Sequence, residues 1–213
     1  MNKEMLKTLR LLVPGLMIAV GCVAPLFFGT LHFAETIRSN EKLLLWLVPP
    51  AIGTLYYVLS LHRYFMEFPL EQIHNGIKDA LLAPFTNHSV IGPASPQLRE
   101  GRTILNIFYQ FVDNDNSLTE RAKSVYLNGL VLSSLADLRA ITVLLLPVYL
   151  GAWMFTKNGD FGWYLLAAIV LNVVAIPLIR IATAKHIELG AEQTEFIAQL
   201  HLSELENLLI AAA

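Results

Sequence analysis

Glu67, Glu71, His74 and Lys78 recur at helical spacing. Glu71 and His74 have the Glu-x-x-His spacing with which di-iron bundles hold metal. That chemistry needs a second such motif and further glutamates on facing helices, and the sequence supplies neither. The face therefore reads as solvated, and no metal is expected. Asp113, Asp115 and Ser117 imitate the start of a calcium loop, but Leu118 stands where that loop needs glycine and Ser124 where it needs glutamate. His62 and His88 have no cysteine or paired carboxylate at ligand spacing. Phosphate-loop, nucleophile-elbow, zinc-protease and dinucleotide signatures are all missing. No catalytic residue and no cofactor are expected, so the chain does not read as an enzyme.

One pair of charges is harder to dismiss. Asp137 and Arg139 lie in "LSSLADLRAITVLLLPVYLGAWMF", Leu132 to Phe155. Charges inside a membrane usually mark a mechanism, whereas charges at its edge mark where it stops. Burying residues 130 to 155 in hydrocarbon takes about 39 Å, against a core of about 30 Å. Starting the span at Ala140 takes about 24 Å and makes both charges a boundary.

The membrane enters through composition. Of 213 residues 55% are hydrophobic and 15% charged, and the mean hydropathy is +0.54. Water-soluble domains hold about 25% charged residues. The apolar excess is gathered into four segments of spanning length: residues 11–29, about 43–61, about 140–155 and 161–179. The fold class expected is an all-α integral membrane protein, its four spans arranged as two hairpins. Residues 1–62 form the first hairpin, 63–128 a helical cytoplasmic insert, 129–183 the second hairpin with its stalk, and 184–213 an acidic amphipathic C-terminal helix. Lys3, Lys7 and Arg10 before "AVGC" imitate a lipoprotein signal, but the apolar run continues past Cys22 through "VAPLFFG", where a lipoprotein turns polar.

Basic residues crowd before the first span, between the second and third, and after the fourth. Both termini and the insert are therefore expected in the cytoplasm, with the chain multi-pass in a bacterial inner membrane. Arg10, Arg63, Arg139 and Arg180 each stand at the cytoplasmic end of a span and read as interface anchors with their heads at the lipid phosphates. Gly15 and Ala19 form a small-xxx-small pair, and Asn172 is the one strongly polar side chain deep in a span. These three read as packing residues of a homo-oligomer. The lack of an acid, lysine or histidine at any span midpoint argues against an ion-coupled transporter.

In the insert, Pro69 is expected to start a helix ending near Ala83. Residues 87–95 read as a loop, and Ser95–Pro96 as the cap of a helix reaching Val112. Ser117 and Glu120 form a capping box for the next helix. From Leu118 that helix meets no break before Phe155 and would run about 57 Å. A separate helix is expected over residues 185–209. Beyond Lys185 it holds Glu188, Glu192 and Glu195 and no basic residue, so it should pack on protein instead of an anionic membrane. Arg99, Arg102, Arg121 and Lys123 are its candidate complements, and Glu188, Glu192, Glu195, Arg99 and Arg102 make up the expected partner face. The net charge of -2 and the balance of signs in the insert give no direct nucleic-acid surface.

Three functions compete. The first is a non-enzymatic, oligomeric scaffold or sensor that presents its cytoplasmic helices to a soluble partner. The second is a channel or membrane-permeabilising effector, gated by wetting of an apolar constriction. The third is a lipid-acting membrane enzyme, using the arginines to hold head groups. In length and hydropathy layout the whole chain resembles the four-span membrane subunits of bacterial antiphage defence systems, such as the KwaA subunit of Kiwa. No motif carries that resemblance, so no residue role transfers. It implies an antiviral sensor in the inner membrane that recruits a soluble DNA-binding effector, KwaB.

Overall fold

In the computed structural model, residues 14, 17–18, 51–156 and 159–213 are described. Every element among them is helical. Residues 51–58 are helical (α1). They are followed by α2 (Arg63–Leu82), a 3₁₀ turn (Ala83–Phe85), α3 (Ile91–Glu100), α4 (Thr103–Asn114), α5 (Asn116–Thr156), α6 (Gly159–Leu200) and α7 (Leu202–Ala212). Among the described residues two helices, α5 and α6, are long and apolar enough to cross a membrane. Most of the first expected span, and residues 43–50 of the second, lie outside the described residues.

The chain divides into two compact units. The first takes in Met1–Met66 and Ser133–Leu178, the second Glu67–Leu132 and Ile179–Ala213. In the first unit, Tyr56, Ala140, Ile141, Leu145, Tyr149, Phe161 and Ala168 form a core, with Phe65 and Leu165 packed against it. Alanines do much of the close packing: Ala136 and Ala175 are 0% exposed. Many other large side chains point outward, with Phe155 89% and Trp163 72% exposed. In the second unit the large side chains are inside, among them Leu81, Ile104, Leu118, Ile197, Leu205 and Leu209. There α3, α4 and α7 pack on one another.

Several helix ends depart from the sequence expectation. α2 begins at Arg63, not Pro69, after a turn in which Ser60 adopts a left-handed φ of 52°. The Arg63 N–H donates to the Ser60 carbonyl at 2.9 Å. Pro69 falls inside the helix, which loses one backbone bond there and continues. α3 likewise begins at Ile91, so Pro96 is internal and Ser95 is no cap. His88 is the cap instead: its Nδ1 accepts the N–H groups of Val90 and Ile91, each at 3.2 Å. Gly92 makes this start sterically feasible, since a Cβ there would stand 2.8 Å from the Thr86 carbonyl oxygen.

The helix expected to reach Val112 is broken at Gly101, whose backbone is extended. Glycine is a poor helix former, and the break lets both α3 and α4 pack on α7. At the next junction Asp115, not Ser117, is the cap, its Oδ1 accepting from the Ser117 N–H at 2.7 Å and the Leu118 N–H at 3.3 Å. α5 then runs unbroken to Thr156. α6 also runs unbroken through Pro177 and residues 180–184, where two helices were expected. The break falls at His201, a residue that is neither glycine nor proline.

Candidate functional site

The Asp137–Arg139 pair sits within the first unit on α5. α1 supplies Tyr56, whose hydroxyl donates to Asp137 Oδ1 at 2.8 Å. The Arg139 guanidinium carbon lies 4.8 Å from the centre of the Phe65 ring, a cation–π contact that holds the charge against an apolar wall. Arg139 Nε is buried without a hydrogen-bond partner, as is Nδ1 of His62, whose ring stacks on Tyr57 at 5.4 Å. Asn172 of α6 donates through Nδ2 to the Arg139 carbonyl and to Thr142 Oγ1, both at 3.2 Å. The Thr142 hydroxyl donates to the same carbonyl at 2.9 Å. This small network fixes the register of α5 on α6.

The Arg139–Thr142 turn thus lies beside Asn172 of α6, and Arg139 belongs to a small polar knot within the first unit. Asn172 uses its amide hydrogens within this chain, between two adjacent helices. Arg63 and Arg180 are exposed, while Arg10, Gly15 and Ala19 lie outside the described residues.

The second unit holds most of the remaining polar bridges. His201, at the α6–α7 break, donates through Nε2 to Asp115 Oδ2 at 2.9 Å, and its ring lies 5.3 Å from that of Phe111. This hydrogen bond, ahead of any other influence, holds the Asp115 carboxyl below its usual range. His88 accepts backbone N–H groups at Nδ1, so its own proton sits on Nε2 and points at Glu206 Oε1, 3.1 Å away. Asn128 of α5 donates through Nδ2 to the Ala182 carbonyl at 2.8 Å and to His186 Nδ1 at 3.3 Å.

No family model, curated protein or solved structure matches this chain. Function must therefore be read from the geometry alone.

Most residues of the expected partner face, and most of the basic residues expected to complement the tail, have partners of their own within the chain. Arg99 pairs with Asp79 at 2.8 Å, Glu188 with Lys185 at 2.9 Å, and Lys123 with Glu120 at 2.7 Å. Glu195 accepts from Gln199 at 3.1 Å. Arg121 meets the tail through a ring, its guanidinium 5.0 Å from the centre of Phe196. The basic insert and the acidic tail are thus not zipped by ion pairs among the described residues. Glu192 and Arg102 remain exposed with no ion pair among the described residues. His74 does not stand with Glu71 as a ligand pair. It is half-buried, and burial first, then Lys78 and Arg102, hold its imidazole below the ordinary value. Among the described residues no cluster of three or more His, Cys, Asp or Glu is placed to hold a metal.

Tyr56, Phe65, Asn128 and His186 were not singled out from the sequence. Asn128 and His186 each carried one weak signal, a polar side chain in an otherwise apolar helical stripe. Which helix each would meet is not written in that signal.

Proposed function

We propose that the chain is a multi-pass inner-membrane protein acting as a non-enzymatic, oligomeric scaffold or sensor, with both termini and the second unit in the cytoplasm. The observation that carries this reading is the change of character within α5 and α6. Their segments in the first unit bury several alanines beside Ile141, Leu145, Tyr149 and Phe161, and turn many large apolar side chains outward, as helices in lipid do. Their segments in the second unit belong to a bundle with a large-residue core. In this reading Tyr109, Tyr126, Leu127 and Leu200, exposed on the second unit, together with Glu192 and Arg102, form the face that meets a soluble partner. The resemblance in length and hydropathy layout to antiphage membrane subunits supplies the setting, in which the partner is a soluble DNA-binding effector.

The test is affinity capture from the native host with the full chain, with Glu192→Lys, and with residues 184–213 removed. One soluble protein recovered by the full chain, weakened by Glu192→Lys and lost on removal of the tail is the expected result. Equal recovery from all three would refute the partner face.

A channel is the second reading, and the half-buried polar knot at Arg139 and Asn172 favours it. Charged and amide groups deep in an apolar helix pair commonly line a water path. Ion flux through liposomes that falls with Arg139→Leu would support it, and sealed liposomes would remove it.

A further inference from the structure

We propose that the second unit contains an acid-released latch: His186 of α6, pinned as the neutral ring by Asn128 and faced by His74, holds residues 179–200 against α2 and α5 and lets go when it takes up a proton. The latch is internal to one unit and does not rest on the functional reading above.

The pinning follows from donor and acceptor counts. The Ala182 carbonyl can only accept, so it fixes which end of the Asn128 amide faces α6. The second amide hydrogen then points at His186 Nδ1, which must accept it with a lone pair. The ring's single proton is therefore on Nε2. A second proton would have to go on Nδ1, where it would meet the Asn128 N–H head-on, donor against donor. The ring also has little room to turn, because a Cβ at Gly129 would stand 3.3 Å from His186 Cε1. The same seam is close on its other side, where Gly76 would place a Cβ 3.7 Å from Ile187 and Gly190 one 3.7 Å from Ile77. A metal does not suit this ring, since Nε2 carries the proton while Asn128 occupies Nδ1.

The charges around the seam act in the same direction. α2 contributes His74 and, one turn on, Lys78; the α3–α4 turn contributes Arg102 toward His74. α5 contributes only the uncharged Asn128. On α6 itself Lys185 and Glu188 neutralise each other at 2.9 Å. No carboxylate is among the groups that set the proton affinity of either ring. Burial, and then His74, hold the His186 imidazole below its ordinary value. A base whose folded-state affinity is lowered binds fewer protons folded than unfolded. The seam is thus fully held above the ordinary imidazole value, about 6.5, and weakens as pH falls below it.

Hydrogen exchange on the full chain in nanodiscs tests this, read on peptides from residues 179–200 and corrected for intrinsic rate. For one group, opening changes by about tenfold per pH unit once the ring titrates, so exchange should rise about tenfold or more between pH 7.5 and 5.0. His186→Gln keeps an acceptor for Asn128 but takes no proton, and should flatten the step to less than about twofold. Asn128→Asp gives the charged ring an acceptor and should move the step to lower pH, which decides the matter even if the glutamine variant opens at neutral pH. Exchange in the unaltered chain that does not respond to acid, or a step left in place by Asn128→Asp, would overturn the proposal.

Discussion

The two units solve packing in opposite ways. The first buries Ala136, Ala140, Ala168 and Ala175 and turns Phe155, Trp163, Val173 and Val174 outward. The second buries Leu81, Ile104, Phe108, Phe111, Leu205 and Leu209, and carries ion pairs such as Arg99–Asp79 on its exterior. In water the second arrangement is driven by removal of apolar area, at about 25 cal/mol per Å². The first gains less that way, because beside its core of Ile141, Leu145, Tyr149 and Phe161 many large apolar side chains stay outside. It suits a solvent as apolar as the side chains themselves, in which small residues let helices touch and a few polar groups fix their register. The polar knot at Tyr56, Asp137, Arg139 and Asn172 is that kind of device.

Substitutions of opposite size should therefore damage opposite units. The largest effect is expected from Leu209→Ala in the second unit, about 2–5 kcal/mol for emptying a fully buried leucine site. Denaturant titration followed by exchange on residues 202–212 would measure it. Ala175→Leu should destabilise the first unit by about 1–3 kcal/mol through overpacking at a fully buried alanine. Unfolding in mixed micelles is the matching measurement, and a neutral result would mean the helices have room there. Tyr56→Phe removes the hydroxyl that meets Asp137 and should cost about 1–2 kcal/mol in the same assay.

Acid should act on the second unit at a separate, lower pH through Asp115. Its carboxyl is held below the usual range by His201, so its contribution is present above about pH 3.9 and is lost as pH falls below that. Asp115→Asn should remove that low-pH loosening of α7 in exchange experiments. Trp163→Ala should be the mildest change, within about 0.5 kcal/mol, because the ring faces outward in the apolar unit.

The sequence announced the long helices clearly and their neighbours poorly. The unbroken run of α5 was legible because residues 118–155 contain no Gly-Pro break, and the apolar content of residues 161–179 marked the core of α6. The internal Pro69 and Pro96 were misleading, since proline is merely preferred at a helix start and its single lost bond is tolerated when neighbours fix the helix. The break at His201 had no local signal; the side chain there meets Asp115, 86 residues away in the chain. The neighbours of Arg139 were hidden for the same reason. Span length alone spoke only to an edge position, whereas the contacts with Asn172 and Phe65 depend on which helices pair. The His186 latch required two helix pairings that no single sequence displays.

The contrast between the two units is tested most directly by spin labels on a Cys22→Ser background, which removes the only cysteine. One label goes at Val173 and one at Glu192, with the protein in nanodiscs. The Val173 label is expected to collide with dissolved oxygen and be shielded from a water-soluble nickel chelate, and the Glu192 label to behave in reverse. Equal access of the nickel chelate to both labels would contradict the contrast.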